Sequence, residues 1–151
     1  MATLNFESIP GLTIAGTVNV VEGIPPMPQP NVPPTGVLSH IRTDQPFQFD
    51  FNWSQSGWLS CLICGTYQVE ICFEECGSGE FSPSPASMNV AMQHGNGTSY
   101  NTSLSYAAGS VPAGHYKVIA CLILLDNAGN PAPVAGFVDL GLIKFYEYQH
   151  C

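Results

Sequence analysis

The stretch PFQFDFNW, residues 46–53, alternates aromatic and polar side chains without a break. Successive side chains of an extended strand point to opposite faces, so the four aromatic residues share one face and Gln48, Asp50 and Asn52 share the other. A strict period of two is typical of a strand that buries one face in a core. The stretch therefore predicts a half-buried β-strand with an aromatic inner face.

The same alternation recurs along the chain. TYQVEICFEE, residues 66–75, places Tyr67, Val69, Ile71 and Phe73 on one face and Cys72 on the other. Further candidate strands lie in SMNVAMQH, TSYNTSLSY, HYKVIACLILL and GFVDLGLIKFYEY. Glycine and proline separate these segments, and DNAGNP, residues 126–131, predicts a turn between the last two. The sequence shows no helical periodicity, and its pattern predicts an all-β sandwich or barrel.

The first 34 residues differ from the rest of the chain. GLTIAGTVNVVEG, residues 11–23, predicts one long strand or a broken pair. IPPMPQPNVPP, residues 24–34, predicts an extended, polyproline-like tether, because proline lacks the N–H that a central strand needs. Eleven such residues reach about 34 Å. We expect an N-terminal strand segment with its tether over residues 1–34, and a sandwich over residues 35–151.

A resemblance emerges at VPAGHYKVIACLILLDNAG, residues 111–129, where a corner leads through Tyr116 into an alternating strand. This run resembles the approach to strand F of immunoglobulin-like sandwiches. The resemblance implies an immunoglobulin-like antiparallel β-sandwich and makes Tyr116 the corner tyrosine, whose hydroxyl bonds back to nearby backbone. We separately expect the N-terminal strand to be wrapped around this sandwich or exchanged with a neighbouring copy. It also identifies strands B, C and G as TDQPFQFDFNWSQSG, TYQVEICFEE and VAGFVDLGLIKFYE.

The chain departs from antibody domains in its cysteines and tryptophans. Strand B has no cysteine, Trp53 lies on strand B, and Trp58 precedes strand C. The CGTY and AGFV patterns are also similar to bacterial proteins of unknown function, which implies no activity.

Four of the six cysteines fall in CLICGTYQVEICFEEC, residues 61–76. Their spacings suggest zinc, but an extended strand separates Cys72 from Cys76 by about 13 Å. Zinc-bound sulfurs lie within about 4 Å of each other, so we expect no metal. A redox C-x-x-C motif opens a helix beside a βαβ unit, which this chain lacks.

One cysteine pair follows from the immunoglobulin-like strand order, in which strands C and F are neighbours. Cys72 and Cys121 both point outward and form a candidate cross-strand pair, either as a disulfide or as buried free thiols. The sequence assigns no partner to the remaining cysteines, which are Cys61, Cys64, Cys76 and Cys151.

Strand F carries a second apolar face formed by Ile119, Cys121, Ile123 and Leu125. A lone antiparallel sandwich usually exposes a polar outer face. We therefore expect a cover over these residues, either the N-terminal segment of the same chain or a strand of a neighbouring copy. The second case makes the chain a homo-oligomer or filament subunit and these residues its candidate interface.

Composition excludes several functions. Lys and Arg together number 3 and the net charge is −8, so nucleic acid and anionic membrane surfaces are not expected partners. No apolar run approaches the ~20 residues that span a bilayer. Only 9% of residues are charged, which favours an assembly or an extracellular location, although the start lacks a secretory signal.

The function that these patterns favour is a non-catalytic structural or interaction module. Histidines 40, 94, 115 and 150 are scattered, so we expect neither catalytic residues nor a cofactor. An alternative is a glycan- or ligand-binding module that uses Trp58 and Tyr100 for stacking, with a glycan or a protein as partner. A small enzyme or metal-binding protein is the third reading. Sequons at Asn52, Asn96 and Asn101 matter only in a eukaryotic secretory pathway.

Overall fold

The computed structural model describes residues 1–7, 9–23, 40–77, 79–83 and 87–148. The predicted tether, the boundary after residue 34 and Cys151 lie outside the described residues. Within them the chain forms eleven strands and one short 3-10 helix at Trp58–Cys61, and no α-helix. The strands are β1 (Ala2–Thr3), β2 (Asn5–Glu7), β3 (Thr13–Glu22), β4 (His40–Arg42), β5 (Phe47–Ser56), β6 (Thr66–Glu75), β7 (Gly79–Phe81), β8 (Ser87–Ala91), β9 (Thr98–Tyr106), β10 (Gly114–Leu125) and β11 (Pro131–Tyr146).

These strands form two sheets, and the fold is an all-β sandwich. The first sheet has the order β1-β3-β5-β9. The second has the order β2-β11-β10-β6-β7, with β8 added against β6 and β4 against β11. The neighbours β3-β5-β9 follow the A-B-E order of immunoglobulin-like sandwiches, and β11-β10-β6 follow the order G-F-C.

Strand positions agree closely with the period-two segments. β6 and β9 coincide with TYQVEICFEE and TSYNTSLSY, and β10 begins one residue before HYKVIACLILL. β4 had no signal in the sequence, because three residues are too few to show a period. It pairs in parallel with β11, placing Ile41 beside Phe145.

Of the two covers expected for the outer face of β10, the N-terminal segment of the same chain pairs elsewhere. It divides between the two sheets: β1 pairs with β3, β2 pairs with β11, and β3 pairs with β5 of the same chain. Ile14, Val18 and Val20 of β3 point inward and are buried. Burying these side chains between the sheets fixes β3 as a core strand, so the segment wraps around its own sandwich.

Aromatic rings from both sheets interlock at the centre of the sandwich. Phe47 and Phe49 of the first sheet meet Phe145 and Phe73 of the second, with ring centroids 5.2 Å and 6.0 Å apart. Tyr106 stacks on Phe47 at 5.0 Å. Such aromatic pairs contribute about 0.5–1.5 kcal/mol each beyond the area that they bury.

Tyr116 occupies the corner where the chain enters β10. Its ring is buried, and its hydroxyl donates a hydrogen bond to the carbonyl of Pro112 at 3.1 Å. This is the backbone bond that the immunoglobulin-like resemblance implies for the corner tyrosine. The bond ties the loop before β10 to the strand itself.

Two tyrosine variants test this role of the hydroxyl. Tyr116→Phe should lower the free energy of unfolding in urea by about 1 kcal/mol, because it removes a satisfied hydrogen bond. Tyr106→Phe is the control, since the buried Tyr106 hydroxyl has no hydrogen-bond partner among the described residues. Removing it should leave stability unchanged or raise it. Equal losses in both variants would contradict the assignment.

Candidate interaction surface

The outer face of the first sheet is polar. Asp50 lies at its centre and accepts hydrogen bonds from Gln48 at 2.7 Å and from Ser103 at 2.6 Å. The cross-strand partners on this face are Gln48 with Ser105, Asp50 with Ser103, Asn52 with Asn101, and Ser54 with Ser99. Hydroxyl, amide and carboxylate groups line the outer side of β5 and β9, so this part of the sheet meets water without further cover.

The outer face of the second sheet is apolar at its centre. We call it the apolar face, formed by Ile119, Cys121, Ile123, Leu125 and Phe137. The four β10 residues are half-buried, and Phe137, opposite Cys121 on β11, is 51% exposed. β10 is thus apolar on both sides, because its alternate residues fill the core while these line the outside.

A β-bulge in β11 sets the edge of the apolar face. Val118 pairs with Gly141 and Ile119 with Asp139, so Leu140 is the extra residue. Gly141 adopts a φ of 78°, which a residue without a Cβ tolerates.

The Asp139 carboxylate stabilises this bulge and completes a charged rim. It accepts the Gly141 N–H at 2.8 Å and lies 3.4 Å from the Lys117 ammonium. The hydrogen bond from the Gly141 N–H and the nearby Lys117 ammonium hold the pKa of Asp139 below its usual value. An exposed ion pair therefore borders the apolar face at this end.

Cys72 and Cys121 lie on adjacent strands and on the same outer side. The register sets Cys72 opposite Ile119 and Cys121 opposite Glu70, so the two cysteines are diagonal neighbours. Both are free thiols in this structure. Diagonal residues lie ~7–8 Å apart, beyond the usual Cα limit of ~6.8 Å for a disulfide. The disulfide stays a prediction.

The surroundings of this thiol pair keep it protonated. Burial raises the pKa of Cys121 to about 11, with smaller contributions from Cys72 and the Glu70 carboxylate. Burial and Glu70 also raise the pKa of Cys72, whose thiol lies 4.0 Å from a Glu70 carboxylate oxygen. Because the thiolate is the nucleophile, both thiols are poorly reactive near neutral pH.

The other described cysteines lie at the two ends of β6. Cys61 and Cys64 precede the strand and Cys76 follows it, and all three are exposed. A strand of this length spans about 33 Å, so the four cysteines of residues 61–76 do not meet. Among the described residues, no group of three or more histidine, cysteine or acidic side chains is placed to hold a metal ion.

Trp58 and Tyr100, the candidate ligand-binding residues, have very different surroundings. Trp58 begins the 3-10 helix, is 67% exposed and packs on Gly11, where an added Cβ would lie 2.6 Å from the indole. Tyr100 is buried, stacks on Trp53 at 5.3 Å and donates to Gln55 at 3.0 Å. The Tyr100 ring is therefore part of the core. Of these two residues, Trp58 is the one that a ligand can reach.

Gln55 is a buried polar residue with a structural role that the sequence pattern was not used to predict. Its buried amide donates to the carbonyls of Gln93 and Gly95 at 2.7 Å and 3.0 Å, and its carbonyl oxygen accepts the Tyr67 hydroxyl at 2.8 Å. These bonds anchor the loop between β8 and β9 to the core. The signal was present, because Gln55 continues the inward period of Phe47 to Trp53 by one more step.

Comparisons with known proteins add the following findings. No family model and no curated protein matches the chain. One solved structure that it resembles is the CARDB domain of the PF1109 protein from Pyrococcus furiosus, in complex with di-metal ions. The two chains are 10% identical, each is covered over 93% of its length, and the TM-score is 0.44. Such a distant likeness says nothing about function.

Among the described residues, no helix is long and apolar enough to cross a bilayer.

Alkylation by iodoacetamide tests the surroundings of the cysteines. At about pH 8, peptide mass spectrometry should find Cys61, Cys64 and Cys76 modified well before Cys121, which is less exposed and almost fully protonated. The Cys121 rate should increase with pH up to about 11, where its thiol ionises. In urea the difference should disappear. Equal rates for Cys121 and Cys61 in the folded protein would contradict this description.

Proposed function

We propose that this chain is a non-catalytic structural module that associates with further copies of itself through the apolar face. The observation that carries the proposal is the contrast between the two sheets. In the first sheet, β5 and β9 carry hydroxyl, amide and carboxylate groups outside, whereas the second sheet exposes half of Phe137 beside a row of aliphatic residues on β10.

The chemistry of the apolar face resembles the centre of a protein–protein interface. Interface centres are poor in charge and rich in aromatic and aliphatic groups, with polar residues around them. Phe137 provides the aromatic group, and Glu70 and the Lys117–Asp139 ion pair provide the charged rim. A rim with both signs of charge sets the orientation of a partner more than the affinity.

A non-catalytic role agrees with how the buried polar groups are used. Gln55, Tyr67 and Tyr100 hydrogen-bond to each other and to the loop after β8. The thiols of Cys72 and Cys121 are held in the protonated form by burial and by Glu70. These groups stabilise the sandwich and are not poised for proton transfer or nucleophilic attack.

Phe137→Glu tests the proposed interface. Placing an unpaired carboxylate at a buried contact costs roughly 3–5 kcal/mol, so association through this face should weaken more than 100-fold. The fold should persist, since the Phe137 side chain is half exposed in the single chain. Sedimentation velocity at matched concentrations measures the change as a shift toward smaller species.

Asn52→Glu is the matched control, because it adds the same charge at an exposed position on the outer face of the first sheet. It should sediment like the wild type. If Phe137→Glu sediments like the wild type as well, the apolar face is not the interface.

A second candidate function, glycan binding, is favoured by the environment of Trp58. One part of the indole packs on Gly11 while the side chain remains 67% exposed, which leaves a fixed aromatic surface open to solvent. Amphipathic ligands such as sugars stack on surfaces of this kind. Leu62, 68% exposed, lies just after the 3-10 helix and extends the apolar surface at this end of the molecule.

A glycan array with the Trp58→Ala variant tests this second function. Loss of every array signal in the variant, with binding retained in Leu62→Ala, would support stacking on the indole. Leu62→Ala is matched because it removes a similarly exposed apolar side chain without an aromatic ring. An array that is blank for the wild type would reject glycan binding.

A further inference from the structure

β9 is a long strand at the edge of the first sheet. It has nine residues, Thr98–Tyr106, and pairs with β5 along its whole length. Among the described residues no strand pairs with its other edge. The strands that close the other sheet edges are short, with two residues in β1, three in each of β2, β4 and β7, and five in β8.

The open edge results from where the chain goes after β6. In an immunoglobulin-like sandwich, strand D follows strand C and pairs with strand E. Here β7 and β8 turn back and pair with β6 in the second sheet instead. β8 reaches β9 only through side chains, as where the Thr102 hydroxyl bonds the Met88 sulfur at 2.9 Å. The position beside β9 that strand D would fill has no described strand.

β9 lacks the usual protection of an exposed edge. Edge strands are normally protected from pairing by charged side chains, proline or a bulge. The sequence TSYNTSLSY contains no charge and no proline, and its register with β5 shows no shift. The strand is also held rigid, because Tyr100, Leu104 and Tyr106 are buried in the core. Among the described residues, no backbone group bonds the N–H and C=O groups on its outer edge, which thus form a template for another strand.

We propose that this edge pairs with β9 of a second copy, antiparallel and across a two-fold axis, so that the two four-stranded sheets become one. The polar outer row of β9 then lies beside its own symmetry mate, where serine and asparagine side chains can hydrogen-bond across the junction. The occupant is a second copy, because two uncharged β9 strands can pair without repulsion between their side chains. The chain has a net charge of −8, yet β9 has none, and nearby Asp50 is bonded to Ser103.

The edge contact extends the proposed function. The edge contact itself does not depend on the apolar face, and only the formation of an open chain rests on the proposed function. The apolar face lies on the second sheet and the β9 edge on the first. A molecule with two separate two-fold contacts can bind one neighbour through each. Copies joined alternately by faces and by edges form an open chain, whereas either contact alone gives a dimer.

Asn101→Lys tests the edge contact. Asn101 is exposed on the outer side of β9, and a lysine there puts like charges on both paired strands near the axis. We expect at least a tenfold weaker edge association, seen in sedimentation velocity as dimers in place of larger species. Asn52→Lys is the matched control, because Asn52 is the cross-strand partner of Asn101 on the interior strand β5. It should assemble like the wild type.

The paired variants separate the two interfaces. The edge contact predicts dimers for Phe137→Glu, dimers for Asn101→Lys and monomers for the double variant. It also predicts that amide hydrogens of residues 98–106 exchange more slowly at a concentration where the wild type is assembled.

Monomers for Phe137→Glu alone, with dimers for Asn101→Lys, would overturn the edge contact and leave the proposed function standing. The reverse result would support the edge and reject the face. A wild type that stays monomeric would overturn both.

Discussion

The packing of aromatic rings between the two sheets is the interaction on which the rest of the structure depends. Phe47 and Phe49 can reach Phe145 and Phe73 only if β5 turns its odd-numbered residues inward and faces β6 and β11. A shift of one residue would expose every one of these rings, so the core fixes the register of the central strands. It also decides which side chains are left on the outer faces.

The outer faces of the two sheets differ because their strands carry different residues at the outward positions. On β5 and β9 the remaining positions are serine, asparagine, glutamine and aspartate, which solvate the first sheet. On β10 they are isoleucine, cysteine and leucine, beside the half-exposed Phe137 of β11. A chain with only 9% charged residues has few groups with which to protect such a surface. The association that we propose through the apolar face would remove it from water.

The central strands were predictable from the sequence because each is set by its own local alternation. The pattern of Phe47 to Trp53 predicts β5, and TYQVEICFEE predicts β6 with the same first and last residues.

Features that depend on distant partners were not predictable in this way. β4 exists through its parallel pairing with β11, and the bulge at Leu140 and Gly141 appears only in the register with β10. The N-terminal strand was one of two expected covers for β10, but three inward aliphatic residues make it part of the core. Of the candidate site, the apolar row on β10 was visible in the sequence, whereas Phe137 required the register of β11.

Sedimentation velocity of the wild-type protein across a wide concentration range, with reductant present, tests the central claim of self-association most directly. We predict that the weight-average sedimentation coefficient increases with concentration beyond the value for a dimer. Reductant should not abolish the increase, since the contacts are non-covalent. A single species of 16.1 kDa at every concentration would contradict self-association.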